Sequence, residues 1–284
     1  MNFDAAFAYA QRHDLEALFV QREGETVFER YGEGFDAAKP HALYSGTKSF
    51  WGPLAIAAEE DGLLDIEETV GATFPAWNSG AKSRVTLRDL LALTSGIGFG
   101  GLGNAVPLYE RALAVELKNE PGSTFTYGGI PLQVFGAVLA EKLKARAQTP
   151  HDYLSERLFA PIGLKIDRWR ALSDGTKPLP TGAFVAAAQW AKFGRLVLDG
   201  GMWGATTIVP SAALARCFVG SSANARYGLG WWLADPADPQ GAIYASGSGG
   251  QAMYVLRAQR CVVVKFGRGA SYKHDVFLRR LLGP

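Results

Sequence analysis

Ser45 and Lys48 lie three residues apart at the head of the apolar stretch ALYSGTKSFWGPLAIAAEEDGLL, residues 42–64. The pattern predicts a helix over residues 45–60, on which a spacing of three puts both side chains on one face. A serine hydroxyl is a poor nucleophile until a base takes its proton. A buried lysine is able to act as that base, because desolvation disfavours its ammonium form. The alternative is that Ser45 only caps the helix and Lys48 is solvated.

The spacing alone does not decide between these alternatives, because Ser79 and Lys82 share it in an Asn-Ser-Gly turn that no helical pattern follows. Ser45 has a more favourable context. The head of a helix offers free backbone N–H groups and a positive dipole end, which pushes Lys48 toward its neutral form. Pro53 lacks a backbone N–H within this predicted helix, so we expect a kink there.

Three further stretches supply residues for a site of this kind. The segment VTLRDLLALTSGI, residues 85–97, follows the Ser45 helix after an acidic turn and a loop. The segment EPGSTFTYGG, residues 120–129, exposes Tyr127 after a Pro-Gly turn. The segment YASGSGGQAMYVL, residues 244–256, places small residues at the start of a strand. Their order along the chain is the feature that links them to Ser45.

Two adjacent tryptophans, Trp231 and Trp232, precede the last of these segments. On a strand, neighbouring side chains point to opposite faces. We therefore expect one of them to lie in the core and the other to line a pocket, and we assign the pocket role to Trp231.

The elements that must position these residues come from both ends of the chain. Strand-like runs at residues 15–21 and 25–31, separated by Glu-Gly, predict a hairpin, and residues 2–12 predict a helix that covers it. The region 84–218 is predicted to be mostly helical. Beyond residue 225 come four short runs rich in aromatic and β-branched residues, and then a last helix.

This arrangement predicts an α/β fold of the α+β type, in which an antiparallel sheet is flanked by the terminal helices and carries an inserted, mostly helical lobe. Residues 1–60 and 220–284 are expected to form the discontinuous sheet domain. Residues 61–219 are expected to form the helical lobe, within one unit overall. The Ser45 helix would then lie at the seam between the two, which is a usual place for a pocket.

Taken together and in this order, the motifs resemble the serine β-lactamase and penicillin-binding superfamily, for which Ser-x-x-Lys is a signature. The chain is most similar to the class C β-lactamases, the DD-peptidases and the family VIII carboxylesterases. The resemblance runs from about residue 15 to the C-terminus. It implies a β-lactamase/transpeptidase-like fold and a serine hydrolase that works through an acyl-enzyme.

The resemblance also implies roles for individual residues. Ser45 would be the acylated nucleophile, Lys48 its proton acceptor, and Tyr127 a partner that protonates the leaving group. The backbone N–H groups of Ser45 and Ser248 would form an oxyanion hole. The substrate-binding residues that we expect are Gly129, Gly247, Gly249 and Trp231.

Two departures from the superfamily pattern bear on the substrate. Gly129 stands where the second motif has Asn, so a side-chain amide that holds a peptide-like substrate is missing. In the third motif Ala245, followed by Ser246, Gly247 and Ser248, stands where a Lys or His is usual. The two losses together disfavour β-lactam and cell-wall peptide turnover and favour smaller, neutral esters or amides.

The sequence thus predicts a serine hydrolase of carboxylic esters or small amides. One alternative is a β-lactamase or DD-peptidase with the same nucleophile, and another is a non-catalytic ligand-binding module on this scaffold. A Gly-x-Ser-x-Gly nucleophile elbow is absent, which argues against an α/β-hydrolase. The glycines from Gly96 onward match Gly-x-Gly-x-x-Gly but follow a helical pattern, so we expect a flexible loop at the pocket rim and not a dinucleotide site.

Composition excludes several other classes of function. The net charge of +2 and the absence of a basic cluster argue against nucleic acid as a partner. No apolar run reaches the length of a membrane span, and the N-terminus has no signal-peptide pattern. We therefore expect a cytoplasmic protein with a small-molecule substrate, or a periplasmic one if a leader was removed, and the oligomeric state stays open.

Neither cysteine nor histidine spacing suggests a metal site, and we expect no metal and no cofactor. Cys217 and Cys261 are predicted to be core thiols. The histidines are predicted to lie at the surface or at helix caps; they are His13, His41, His151 and His274.

Overall fold

The computed structural model describes residues 1–234 and 241–283. Its strands are, in chain order, β1 (Leu15–Arg22), β2 (Glu25–Tyr31), β3 (His41–Ala42), β4 (Arg168–Trp169), β5 (Ala183–Val185), β6 (Met202–Trp203), β7 (Thr206–Thr207), β8 (Trp232–Leu233), β9 (Ile243–Gly247), β10 (Gln251–Leu256) and β11 (Cys261–Gly267). Its α-helices are α1 (Phe3–Gln11), α2 (Trp51–Glu60), α3 (Leu87–Leu91), α4 (Tyr109–Leu113), α5 (Ile130–Leu143), α6 (Pro150–Leu154), α7 (Ala187–Leu198), α8 (Ser211–Ala215) and α9 (His274–Leu282).

The main sheet has six strands in the order β2-β1-β11-β10-β9-β8, and every pairing in it is antiparallel. β1 pairs with β11 from Leu15 opposite Gly267 to Arg22 opposite Cys261, so the two ends of the chain close one sheet. The predicted hairpin and the predicted discontinuous antiparallel sheet are confirmed.

The sheet buries both of its faces because its central strands alternate between two cores. On β10, Met253 and Val255 belong to the larger core, whereas Ala252 and Tyr254 belong to a smaller core beneath α1 and α9. The buried residue Phe277 of α9 completes that smaller core. The terminal helices therefore flank the sheet, as the sequence predicts.

The middle of the chain contains more short strands than the sequence pattern indicates. The strands β3, β5 and β4 form a small separate sheet, in which His41 pairs with Val185 and Arg168 pairs with Phe184. Strands of two or three residues are too short to produce a recognisable alternation. This sheet matters for function because it holds the segment around residue 180 near the Ser45 helix.

The Ser45 helix differs from the single helix that the sequence predicts. Residues Tyr44–Phe50 form a 3₁₀ helix, and the α-helical part, α2, begins only at Trp51. Pro53 therefore lies in the first turn of α2, where a missing N–H is tolerated. The Ser49 carbonyl, which would face Pro53 in a continuous α-helix, instead accepts a hydrogen bond of 3.0 Å from Trp231 Nε1. The expected interruption thus takes the form of a change in helix type.

The histidine prediction is wrong for two of the four residues. His41 is buried between the rings of Phe35 and Phe266 and hydrogen-bonds Glu16 at 2.7 Å. His151 is also buried, and desolvation lowers its pKa to about 3. Aromatic packing favoured burial at both positions, which sequence spacing does not reveal.

Both cysteines are buried and free, which confirms the prediction of core thiols. Within the part of the chain that the structure describes, no helix has the length and apolarity needed to cross a bilayer.

Candidate active site

Ser45 and Lys48 are in direct contact on the 3₁₀ helix. Lys48 Nζ donates a hydrogen bond of 3.0 Å to Ser45 Oγ, and a second one of 3.2 Å to the carbonyl of Pro180. In a 3₁₀ helix, residues three apart lie one above the other, so the spacing of this pair matches the helix type. Lys48 is 1% exposed, which excludes the solvated lysine of the alternative interpretation.

Burial changes the protonation of Lys48. Desolvation lowers its pKa from 10.5 to about 7. Among the residues that the structure describes, no carboxylate forms an ion pair with it to restore the charge. A substantial fraction of Lys48 is therefore neutral near pH 7 and able to accept a proton from Ser45.

Tyr127 is the third polar group at this point. Its ring lies 4.9 Å from Lys48 Nζ, and its hydroxyl interacts electrostatically with the side chain of Ser45. Burial raises the pKa of Tyr127 more than the nearby Ser45 side chain lowers it, so the phenol stays protonated and remains a proton donor. The structure thus brings Ser45, Lys48 and Tyr127 together.

An aromatic wall stands beside Tyr127. The Trp232 ring stacks on Tyr127 with centroids 5.7 Å apart, and Tyr227 contacts both rings edge-on. Trp232 is half-buried. Sequence reasoning left it out of the site, although it identified that one of the two adjacent tryptophans would face a pocket.

The expectation that Trp231 contacts substrate is not met. Trp231 is fully buried, packs against Phe193 and Phe218, and donates its indole N–H to the Ser49 carbonyl. Alternation along a strand separates the two tryptophans but does not say which one faces the core, because that depends on the pairing of β8.

The third motif reaches the Ser45 helix through Gly247. A Cβ atom built on Gly247 would lie 2.1 Å from the Leu43 carbonyl oxygen, so only glycine allows β9 to approach this closely. Ser248 follows directly and is exposed, and Gly249 lies with it in the turn that leads to β10.

Gln251 fastens this turn and was not identified from the sequence. Its side-chain N–H groups donate to the Ser248 and Gly267 carbonyls, at 3.1 and 2.5 Å, and its Oε1 accepts from the Gly267 N–H at 3.0 Å. A single buried amide therefore fixes the backbone that carries the predicted oxyanion donor. The sequence signal that could have identified this anchoring residue is a Gln that directly follows two glycines, Gly249 and Gly250.

Gly129 has no room for a side chain. A Cβ atom there would lie 1.9 Å from the Gly101 carbonyl oxygen and 3.1 Å from Pro180, and the Gly129 N–H donates to the Gly100 carbonyl at 2.9 Å. The glycine-rich segment 96–103 thus packs against the position that an Asn side chain would need. The absence of the Asn side chain and the presence of the glycine-rich loop therefore go together: the loop occupies the space that the Asn side chain of the superfamily pattern would need.

Comparison with protein families finds a match over most of the chain. The β-lactamase family model matches residues 11–281, which is nearly the whole chain. A comparison with curated proteins finds no match.

Solved structures of the same fold include three hydrolases. A proposed 6-aminohexanoate-dimer hydrolase from Bacillus anthracis is 20% identical with a TM-score of 0.82, over 97% of this chain and 80% of that one. EstCE1, described as a hydrolase with promiscuous acyltransferase activity, is 16% identical with a TM-score of 0.77, over 97% of each chain. A class C β-lactamase from Rhodobacter sphaeroides is 17% identical with a TM-score of 0.73, over 98% of this chain and 97% of that one.

Proposed function

The chain belongs to the β-lactamase family, and from that premise we propose that it is a serine hydrolase of carboxylic esters or small amides. The observation that carries the proposal is the contact between Ser45 Oγ and the buried Nζ of Lys48. A lysine held with a pKa near 7 beside a serine hydroxyl is suited to general-base activation of a nucleophile.

In the reaction that we propose, Ser45 Oγ attacks the substrate carbonyl carbon while its proton passes to Lys48 Nζ. The negative charge on the carbonyl oxygen is stabilised by the backbone N–H groups of Ser45 and Ser248. Tyr127 then donates its proton to the leaving oxygen or nitrogen and regains one from Lys48. The products of this half are an acyl group on Ser45 and a free alcohol or amine.

The second half returns the enzyme to its starting state. Water loses a proton to the Lys48–Tyr127 pair and attacks the acyl carbon, and Ser45 leaves with that proton as the acid is released. Lys48 and Tyr127 are in contact, so they are expected to titrate as a coupled pair.

The substrate preference follows from the two departures in the motifs. Ala245 provides no cation at the third motif, and Gly129 provides no side-chain amide at the second. Trp232 and Tyr127 offer an apolar surface next to the nucleophile, and we assign the pocket-lining role to Trp232 in place of Trp231. These features favour esters and small amides over β-lactams.

The proposal is tested by comparing Ser45→Ala with Ser79→Ala, since Ser79 and Lys82 repeat the same spacing elsewhere in the chain. We expect Ser45→Ala to lose on the order of a thousandfold or more in kcat on para-nitrophenyl acetate, while Ser79→Ala keeps the wild-type value. Retention of esterase activity in folded Ser45→Ala protein would contradict the mechanism. Rapid nitrocefin turnover by the wild type would favour a β-lactamase, and ligand binding without any turnover would favour a binding module.

A further inference from the structure

A cavity of about 610 Å³ opens beside the glycine-rich loop, and the mechanism above does not use it. Its walls are the segments 104–108 and 170–173 together with Arg111 of α4. The volume lies within the usual range for small-molecule sites. Two arginines, Arg111 and Arg170, line this cavity and no acidic residue does, so it is electropositive.

Neither arginine is neutralised by a carboxylate in the described part of the chain. Arg170 donates to Asn104 Oδ1 at 2.6 Å and to the Gly103 carbonyl at 2.7 Å. Its Nε is buried and donates to no acceptor among the described residues. Arg111 is exposed and forms no ion pair with any described residue. The guanidinium of an arginine presents N–H donors in a fork that matches the two oxygens of a carboxylate.

The segments that form the walls of this cavity continue along the chain into segments that contact the site around Lys48. The Arg170 N–H donates to the Gly182 carbonyl at 2.9 Å, two residues beyond the Pro180 carbonyl that accepts from Lys48. The other wall begins at Asn104, three residues after Gly101, whose carbonyl oxygen packs against Gly129. Both walls of the cavity are thus continuous along the chain with segments that contact the site, one at Lys48 and the other at Gly129.

A second cavity near Ser45 differs in its charge. It has a volume of about 450 Å³ and contains Arg268 and Lys39, but also Glu16. Glu16 pairs with Arg268 at 2.5 Å and with His41 at 2.7 Å. Arg268 is therefore already matched by a carboxylate, and Lys39 donates to the Gly34 carbonyl at 2.7 Å, whereas neither Arg111 nor Arg170 has a carboxylate partner among the described residues.

We propose that the cavity at Arg111 and Arg170 binds a carboxylate carried by one half of the substrate, so that the preferred ester or amide is an anion. The inference rests on the proposed hydrolase activity of Ser45 and specifies its substrate class. It replaces the expectation of a neutral substrate, which rests on the missing cation at Ala245 and the missing amide at Gly129. The anion is recognised at a different wall of the site.

Two matched pairs of esters test the proposal and locate the carboxylate. In the first pair, para-nitrophenyl hydrogen glutarate carries the charge on the acyl half, and para-nitrophenyl valerate is its neutral counterpart. In the second, para-acetoxybenzoate carries it on the leaving half, and its methyl ester is neutral. The measured quantity is the ratio of kcat/KM between the charged and the neutral member of each pair.

We expect this ratio to exceed one in one of the two pairs and to fall about 10- to 100-fold in Arg111→Gln, because a charge-assisted hydrogen bond is lost. Arg111→Glu should lower the ratio further, since it places a like charge beside the substrate. Arg280→Gln is the matched control, an exposed arginine on α9 beyond the opposite face of the sheet, and it should leave the ratio unchanged.

The proposal is overturned if both ratios stay at or below one in the wild type, or if Arg111→Gln leaves them unchanged. A failure of the hydrolase proposal would give a different result. The wild type would then turn over neither the charged nor the neutral esters, and its activity would equal that of Ser45→Ala.

Discussion

The pH dependence of catalysis depends on one buried group, Lys48. Its neutral amine is the form that accepts the Ser45 proton, and burial places its pKa at about 7. The shift from 10.5 corresponds to about 5 kcal/mol of unfavourable desolvation of the ammonium form. With an ordinary pKa, only about one molecule in 3,000 would carry neutral Lys48 at pH 7, whereas here about half do.

The sign of the effect follows from this protonation state. Because the neutral form is active, kcat/KM should rise with pH, pass its midpoint near pH 7, and level off above about pH 8. At pH 5 it should be about 100-fold below the plateau, since only about 1% of Lys48 is then neutral. The assay is para-nitrophenyl ester hydrolysis in buffers of constant ionic strength, and the midpoint is a property of the coupled Lys48–Tyr127 pair.

Lys48→Arg provides the matched comparison, because a guanidinium keeps the positive charge but does not lose its proton in this pH range. We expect this variant to lose at least about 100-fold in kcat/KM at every pH and to show no midpoint near 7. A wild-type profile that is flat from pH 5 to 9, or an active Lys48→Arg variant, would refute the assignment of Lys48 as the base.

Three further predictions concern the residues around this pair. Gly129→Asn should destabilise the fold by roughly 1–3 kcal/mol in urea unfolding, because the new side chain meets the Gly101 carbonyl. It should bring no gain in nitrocefin turnover. An unchanged urea midpoint would contradict this prediction. Trp231→Phe should cost roughly 1–3 kcal/mol in the same assay, since it leaves the buried Ser49 carbonyl without its donor, and a wild-type midpoint would show that this bond is dispensable. Gln251→Leu should lower kcat about tenfold or more and change KM less, because the turn that carries Ser248 loses the hydrogen bonds that hold it. An effect on KM alone would show that Gln251 acts in ground-state binding instead.

Local patterns were sufficient for the main sheet and for the order of the motifs. The hairpin predicted at residues 15–21 and 25–31 is observed as β1 and β2, because its alternation and its Glu-Gly turn are local signals. The family resemblance that rests on the order of the motifs is confirmed by the family match over residues 11–281. The contact between Ser45 and Lys48 also depends only on nearby residues.

Three features that the sequence did not predict depend on contacts between distant segments. The carbonyl of Pro180 reaches Lys48 because β3 pairs with β5, a contact between strands too short to leave a pattern. The choice between Trp231 and Trp232 depends on the register of β8 against β9. The burial of His41 depends on aromatic rings that lie on other segments of the fold.

The central claim is that Ser45 is an activated nucleophile, and active-site labelling tests it most directly. Wild-type protein, Ser45→Ala and Ser79→Ala are each treated with a fluorophosphonate probe, and the adduct is located by peptide mass spectrometry. We predict a stoichiometric adduct on Ser45 in the wild type and in Ser79→Ala, and none in Ser45→Ala. The absence of any adduct on folded wild-type protein, or an adduct on a different serine, would contradict the account.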